Sequence, residues 1–153
     1  MEDAKGSQAN VLVRCPFCSK LNRVDAARAK DRPSCGECNR PLLLDRPVPI
    51  TDDDFERVVK ESGIPVVVDF YADWCQPCKV MAPIFDEAAR QRVGRVLFTK
   101  MNTDRHPQAS VRYGIRGIPT FIVFRAGEEV ARQVGAVPAP QLHQLLDRVS
   151  ADA

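Results

Sequence analysis

From residue 47 onward, two hydrophobic rhythms take turns along the chain. "PVVVDFY" (65–71) and "RVLFTKMN" (95–102) are short, β-branched or apolar runs, which predict buried strands. Between and around them the apolar spacing is helical. In "TDDDFERVVKES" an apolar stripe of Phe55, Val58 and Val59 follows Thr51, the expected N-cap, with Asp54 three residues on. Val80, Met81, Ile84, Phe85 and Ala88 mark a helix from Cys75 to about Arg92, in which Pro83 is expected to produce a kink. "HPQASVRYG" (106–114) predicts a short helix with Pro107 in its first turn and Gly114 beyond its end. "TFIVFR", "AGEE" and "VARQVG" predict a strand, a turn and a returning strand, and "PAPQLHQLLDRVS" predicts a closing amphipathic helix. With a short edge strand at the start, the order is β-α-β-α-β-α-β-β-α. That order belongs to an α/β fold: a mixed sheet, parallel at first and antiparallel at one edge, with helices on both faces.

The pattern changes at "DRPVP" (45–49), where two prolines stiffen the chain. The segment before it holds four cysteines and few large apolar residues, too few to build a core alone, so it is expected to need a staple. The predicted organisation is a small module, residues 1–46, followed by a larger domain, residues 47–153. Beyond the Cys-x-x-Cys spacing itself, no internal repeat is evident.

Composition narrows the function. Hydrophobic residues make up 44% and charged residues 27%, which argues against disorder. The formal charge is only +2, so neither nucleic acid nor a membrane surface is an expected partner. The opening "MEDAKGSQAN" lacks the apolar stretch of a secretory signal, and the longest apolar run is interrupted by Asp69. A cytoplasmic, reducing compartment is therefore expected. There, paired cysteines indicate metal binding or redox catalysis more often than a structural disulfide framework.

Cys15, Cys18, Cys35 and Cys38 follow C-x2-C-x16-C-x2-C, the spacing of a four-thiolate zinc site. Each two-residue gap lets a tight turn present both sulfurs to one side. Four thiolates leave no open coordination position, so one structural Zn2+ per chain is expected. The competing reading is disulfides or loose thiols.

"WCQPC" sits differently, between a buried strand and a helix. At a helix start, Cys75 meets unsatisfied N–H groups and the positive end of the dipole, which favour a thiolate. Cys75 is expected to be the more exposed, attacking sulfur, and Cys78, one turn later, the resolving one. As further metal ligands the two would lack a second pair. Asp69 is an unusual residue for the middle of a buried strand. With Lys100 on the next strand as counter-charge, it is a candidate proton acceptor for Cys78; the alternative is a plain buried ion pair.

Together these residues resemble thioredoxin. "VVVDFYADWCQPCKVMAP" is similar to its active-site segment, "KMNTD" to its following strand and "GIRGIPTFIVF" to the loop before its hairpin. With the four-cysteine module, the whole chain resembles the bacterial thioredoxin-2 type, which carries an N-terminal zinc-binding extension. The resemblance implies a thioredoxin fold and a protein-disulfide reductase, with Cys75 as nucleophile and Cys78 as resolving thiol. Asp69 and Lys100 would assist, Trp74 would pack beside the pair, and Pro119 would be a cis proline facing it. A cis bond there would leave the Ile118 backbone free to pair with an extended substrate; otherwise Pro119 is an ordinary turn proline. Implied partners are disulfide-bonded client proteins and, as electron donor, thioredoxin reductase using NADPH. No bound organic cofactor is expected, since the chain has no G-x-G-x-x-G. Gln76 departs from the family pattern, which usually has glycine there. Other functions compatible with the cysteines are a zinc-dependent redox sensor or redox-regulated chaperone, and a zinc-ribbon binding module attached to a vestigial redox domain.

Overall fold

The computed structural model describes residues 10–151; the reading of the first residues as non-secretory lies largely outside that range. The chain begins with an antiparallel hairpin, β1 (Asn10–Arg14) and β2 (Leu21–Asp25), followed by a 3-10 helix, Ala26–Asp31. The larger part then runs β3 (Val48–Pro49), α1 (Phe55–Glu61), β4 (Val66–Tyr71), α2 (Gln76–Gln91), β5 (Leu97–Asn102), α3 (Pro107–Arg112), β6 (Thr120–Arg125), β7 (Glu128–Val134) and α4 (Ala139–Ala151). Its five strands are ordered β3-β5-β4-β6-β7, with β3 and β4 parallel to β5, and β6 antiparallel to both β4 and β7. The predicted order of elements and the mixed sheet are both present.

Strand alternation sorts β4 between two cores. Val66, Val68 and Phe70 pack with Phe55, Val58 and Val59 of α1. Val67 points the other way, into a second core with Met81 and Phe85 of α2 and Leu142 and Leu146 of α4. Asp69 shares the parity of Val67, so it faces α2.

One helix start and one hairpin turn differ from the expectation in detail. Asp54, rather than Thr51, occupies the N-cap of α1, and its Oδ1 accepts from the Thr51 N–H at 2.8 Å. Only the reach-back half of a capping box is made, and Thr51 Oγ1 is buried without a partner. The hairpin turn is also tighter than "AGEE": Ala126 and Gly127 both have positive φ, 53° and 86°. Two such residues match the twist of the flanking strands, so Glu128 and Glu129 already belong to β7. Pro83 lies inside α2, and the helix runs on through it.

The front module does not stand on its staple alone. Val11, Leu12, Val13, Val24, Ala26 and Leu42 join the same core as Val48, Ile50, Phe55 and Val58. Leu12 N donates to the buried Ser62 Oγ at 3.2 Å, and Arg14 reaches Asp54 at 2.9 Å. On the far side the 3-10 helix closes on the turn after α2. A Cβ at Gly94, where φ is +85°, would lie 2.7 Å from the Ala26 carbonyl oxygen. Only glycine permits that approach.

Candidate functional site

β4 delivers the chain to the site. After Tyr71, the Cys75 N–H bonds to the Ala72 carbonyl and Cys75 becomes the N-cap of α2, its Sγ accepting from the Cys78 N–H at 3.2 Å. Pro77 fits in the first turn, where a missing N–H leaves no ladder bond unmade. Cys75 and Cys78 form a disulfide, with Cα atoms 5.3 Å apart. The expected difference in exposure is absent in this oxidised form, with Cys75 3% and Cys78 5% exposed. Their surroundings differ instead. Cys75 Sγ lies 3.7 Å from the Ile118 carbonyl oxygen, whereas Cys78 lines a cleft on the other side of the pair.

The Ile118–Pro119 bond is cis. Pro119 accepts from the Gly135 N–H at 2.8 Å, which ties this segment to the end of β7. Trp74 extends outward, 70% exposed, with its indole N–H donating to Asp104 Oδ2 at 2.9 Å. Asn102 Oδ1 in turn accepts from the backbone N–H groups of Asp104 and Arg105. Asn102 and Asp104, which orient Trp74, were not singled out from the sequence. Both fall within "KMNTD" (100–104), where the resemblance was the only available signal.

Behind Cys78, a cavity of about 220 Å3 is lined by Asp69, Lys100, Asp86 and Pro47 among others. Asp69 is 7% exposed, and its Oδ1 is buried with no hydrogen-bond partner. Burial pushes its carboxyl up to about 7; Lys100 works against that rise and Asp86 adds to it. Lys100 is the register neighbour of Asp69 on β5, but its side chain is exposed and no ion pair joins the two among the described residues. Asp69 is therefore not half of a plain buried salt bridge. Asp86 and Pro47 were missed in the sequence because nothing local marks them as neighbours of Asp69.

A titration follows from this burial. The folded carboxyl holds its proton up to about 7, whereas the unfolded one loses it near 3.8. Between those values the folded state binds more protons, so its stability falls as pH rises, by about 4 kcal/mol across the whole interval. Asn at position 69 stays neutral throughout. Asp69→Asn is therefore expected to raise Tm more at pH 8 than at pH 4.5, by about 5–10 °C for a chain of this size. Thermal melts at the two pH values check this, and an equal gain at both would mean that Asp69 titrates normally.

The other four cysteines converge at the tip of the front module, their sulfurs within 4.8 Å of one another. Cys15 and Cys38 sulfurs are 3.7 Å apart, and those of Cys18 and Cys35 are 3.6 Å apart. A tetrahedral zinc–thiolate site, with bonds of about 2.3 Å, has edges of roughly 3.8 Å. The donor set fits such an ion, and no disulfide joins these sulfurs. The two turns are alike: Ser19 and Asn39, each four residues after the first cysteine of its pair, have φ of 73° and 65°. Each donates its N–H back to that cysteine's carbonyl. Asn22 of β2 braces the second turn, accepting from the Gly36 N–H at 2.9 Å and donating to Cys35 Sγ at 3.5 Å. N–H donors, that of Cys38 first, bring the Cys35 thiol down to about 6. The matching "CSK" and "CNR" that follow the two turns were a repeat legible in the sequence and missed there.

A disulfide that caps the helix after a central strand, faced by a cis proline and backed by a buried carboxylate, defines a thiol–disulfide oxidoreductase of the thioredoxin fold. Residues 46–148 match the family model described as Thioredoxin. The chain is 36% identical over 138 residues to "Thioredoxin C-3" of Corynebacterium nephridii, covering 90% of this chain and 94% of that protein. It is 52% identical over 100 residues to a thioredoxin of Allochromatium vinosum, covering 65% of this chain and 94% of that protein. A third relative, "Thioredoxin 1" of a Nostoc species, is 46% identical over 99 residues. The chain belongs to the thioredoxin family, and its four-cysteine front module is consistent with a zinc-binding extension.

Proposed function

We propose that this protein reduces disulfide bonds in client proteins and is recharged by thioredoxin reductase using NADPH. The observation that supports it best is the Cys75–Cys78 disulfide at the start of α2, with Asp69 unpaired in the cavity behind Cys78. In the reduced form, the Cys75 thiolate attacks one client sulfur, forming a mixed disulfide and expelling the other as a thiolate. Asp69 takes the proton from the Cys78 thiol. The Cys78 thiolate then attacks Cys75 Sγ, closing the internal disulfide and releasing the second client thiolate. Two electrons pass to the client, and two from the reductase restore the dithiol. Lys100 tempers the rise of the Asp69 pKa, Trp74 borders the docking rim, and the Ile118 backbone beside cis Pro119 pairs with the extended client strand.

Residues 1–46 form the zinc module and residues 47–153 the thioredoxin domain. Cys15, Cys18, Cys35 and Cys38 hold one structural Zn2+, which when bound supplies cross-linking of the two turns. The site of action is the cytoplasm. Among the described residues no helix is long and apolar enough to cross a membrane.

The test is NADPH consumption with a thioredoxin reductase and a disulfide-bonded protein such as insulin. Multiple turnovers per chain are expected. Inertness of the fully reduced protein would overturn the reductase reading in favour of a zinc-dependent redox sensor, for which the exposure of Cys18 is the supporting observation.

A further inference from the structure

Among the described residues, five other than glycine have positive φ: Ser19, Arg32, Asn39, Leu43 and Ala126. Ser19 and Asn39 close the cysteine turns and Ala126 makes the hairpin turn. The remaining two, Arg32 and Leu43, line one and the same cavity, of about 280 Å3. Arg32 is the left-handed C-cap of the 3-10 helix. Leu43 caps nothing, and left-handed backbone is uncommon for a residue of its shape.

This cavity lies where the front module meets the turn after α2. Leu43, Leu44 and Val93 give it a half-buried apolar floor, and Lys30, Arg32 and Arg46 stand exposed around it. Among the described residues Asp45 is the one acidic group in the lining, and it bonds to its neighbour Arg46 at 2.9 and 3.4 Å. Lys30 and Arg32 make no ion pair among the described residues. The described lining thus has three cations to one anion around an apolar floor.

We propose that this junction cavity is a docking site for an acidic segment of a partner protein, one aliphatic or aromatic side chain of which sits on Leu43, Leu44 and Val93 while flanking carboxylates meet Lys30 and Arg32. The volume suits a single side chain rather than a whole cofactor. The surplus of positive charge selects the sign of the partner. An apolar floor has no counterpart in a phosphate backbone, which argues for protein rather than nucleic acid. The site is also placed to serve the thiol chemistry, a consequence that rests on the function proposed above. Arg46 is followed directly by Pro47, which lines the cavity behind Cys78. From this junction to the Cys75–Cys78 end of α2 is about 24 Å of helix. A standard interface, roughly 30 Å across, is wide enough to cover that separation.

The experiment is fluorescence anisotropy with the full metal-loaded chain and a labelled pentapeptide in which one leucine is flanked by two acidic residues on each side. Binding is expected at low salt and should weaken at physiological salt. The Lys30→Glu, Arg32→Glu protein should bind at least about tenfold more weakly, and so should the wild-type chain with a peptide carrying glycine in place of leucine. A second variant, Lys30→Ala with Arg32→Gly, keeps the left-handed backbone accessible and should show the same loss with unchanged circular dichroism and metal content. Reduction of a small-molecule disulfide dye should be unchanged in both variants, which separates this site from the redox pair. No binding at millimolar peptide, equal binding by the variants, or equal binding of the glycine peptide would overturn the proposal. So would tighter binding of duplex DNA or of anionic phosphatidylglycerol vesicles that displaces the peptide.

Discussion

A Cys78→Ser protein is expected to accumulate disulfide-linked complexes with its clients, and a Cys75→Ser protein almost none. The asymmetry does not come from exposure, since both sulfurs are buried in the oxidised form. It comes from position. Cys75 occupies the N-cap, where its sulfur already accepts the Cys78 N–H and faces the positive end of α2. It also lies against the Ile118 carbonyl, beside the segment proposed to pair with an extended client. Cys78 instead lines the cleft behind the pair, together with Asp69. With Cys78 replaced, the first exchange proceeds and nothing resolves it. With Cys75 replaced, turnover should fall by on the order of 10^3 or more, the scale seen when a sole nucleophile is lost. Non-reducing gels of lysate complexes, together with insulin reduction rates, measure both effects. Equal trapping by the two variants would refute the assigned order.

Removing the metal is expected to unfold the front module and to lower the melting temperature of the rest of the chain. Structural zinc contributes about 10–16 kcal/mol to the folding of small modules of this kind. A module with its own core would leave the larger domain untouched when it unfolds. This one contributes Val11, Leu12, Val13 and Leu42 to the core of α1 and β4. Stripping those side chains away costs about 1.5–3 kcal/mol each, a large share of an ordinary domain's stability of about 5–15 kcal/mol. The second core, between the sheet and helices α2 and α4, contains no front-module residue among the described residues and should persist. The measurements are calorimetry with and without chelator, and zinc content of the protein with all four cysteines, Cys15, Cys18, Cys35 and Cys38, changed to Ser. Superimposable melts would contradict the shared core. Full zinc in the four-serine protein would remove the ligand assignment.

Much of this molecule is written locally. Strand and helix periods, Pro77 in a first turn, and cysteines two residues apart all act over a few residues, so a single pass along the chain finds them. That is why the order of elements, the mixed sheet and the division of six cysteines into one cluster and one pair were legible. Asp69 was legible for a related reason: a carboxylate in the middle of a β-branched run conflicts with its own neighbours. What the sequence left open depends on residues far apart in the chain. Leu12 and Ser62 are 50 positions apart, and their bond helps merge the front module into the larger core. Trp74 is held outward by Asp104, 30 positions on. The equal burial of Cys75 and Cys78, the absent Asp69–Lys100 ion pair and the basic cavity around Leu43 likewise arise only when strands, helices and linker are packed together. Propensity and spacing act between chain neighbours, whereas burial and Coulomb fields act between neighbours in space. The sequence alone therefore determined how the six cysteines group, into one cluster and one pair, and tertiary packing decided which side chains surround them, which way burial moves a carboxylate's titration, and that two apparent modules share one core.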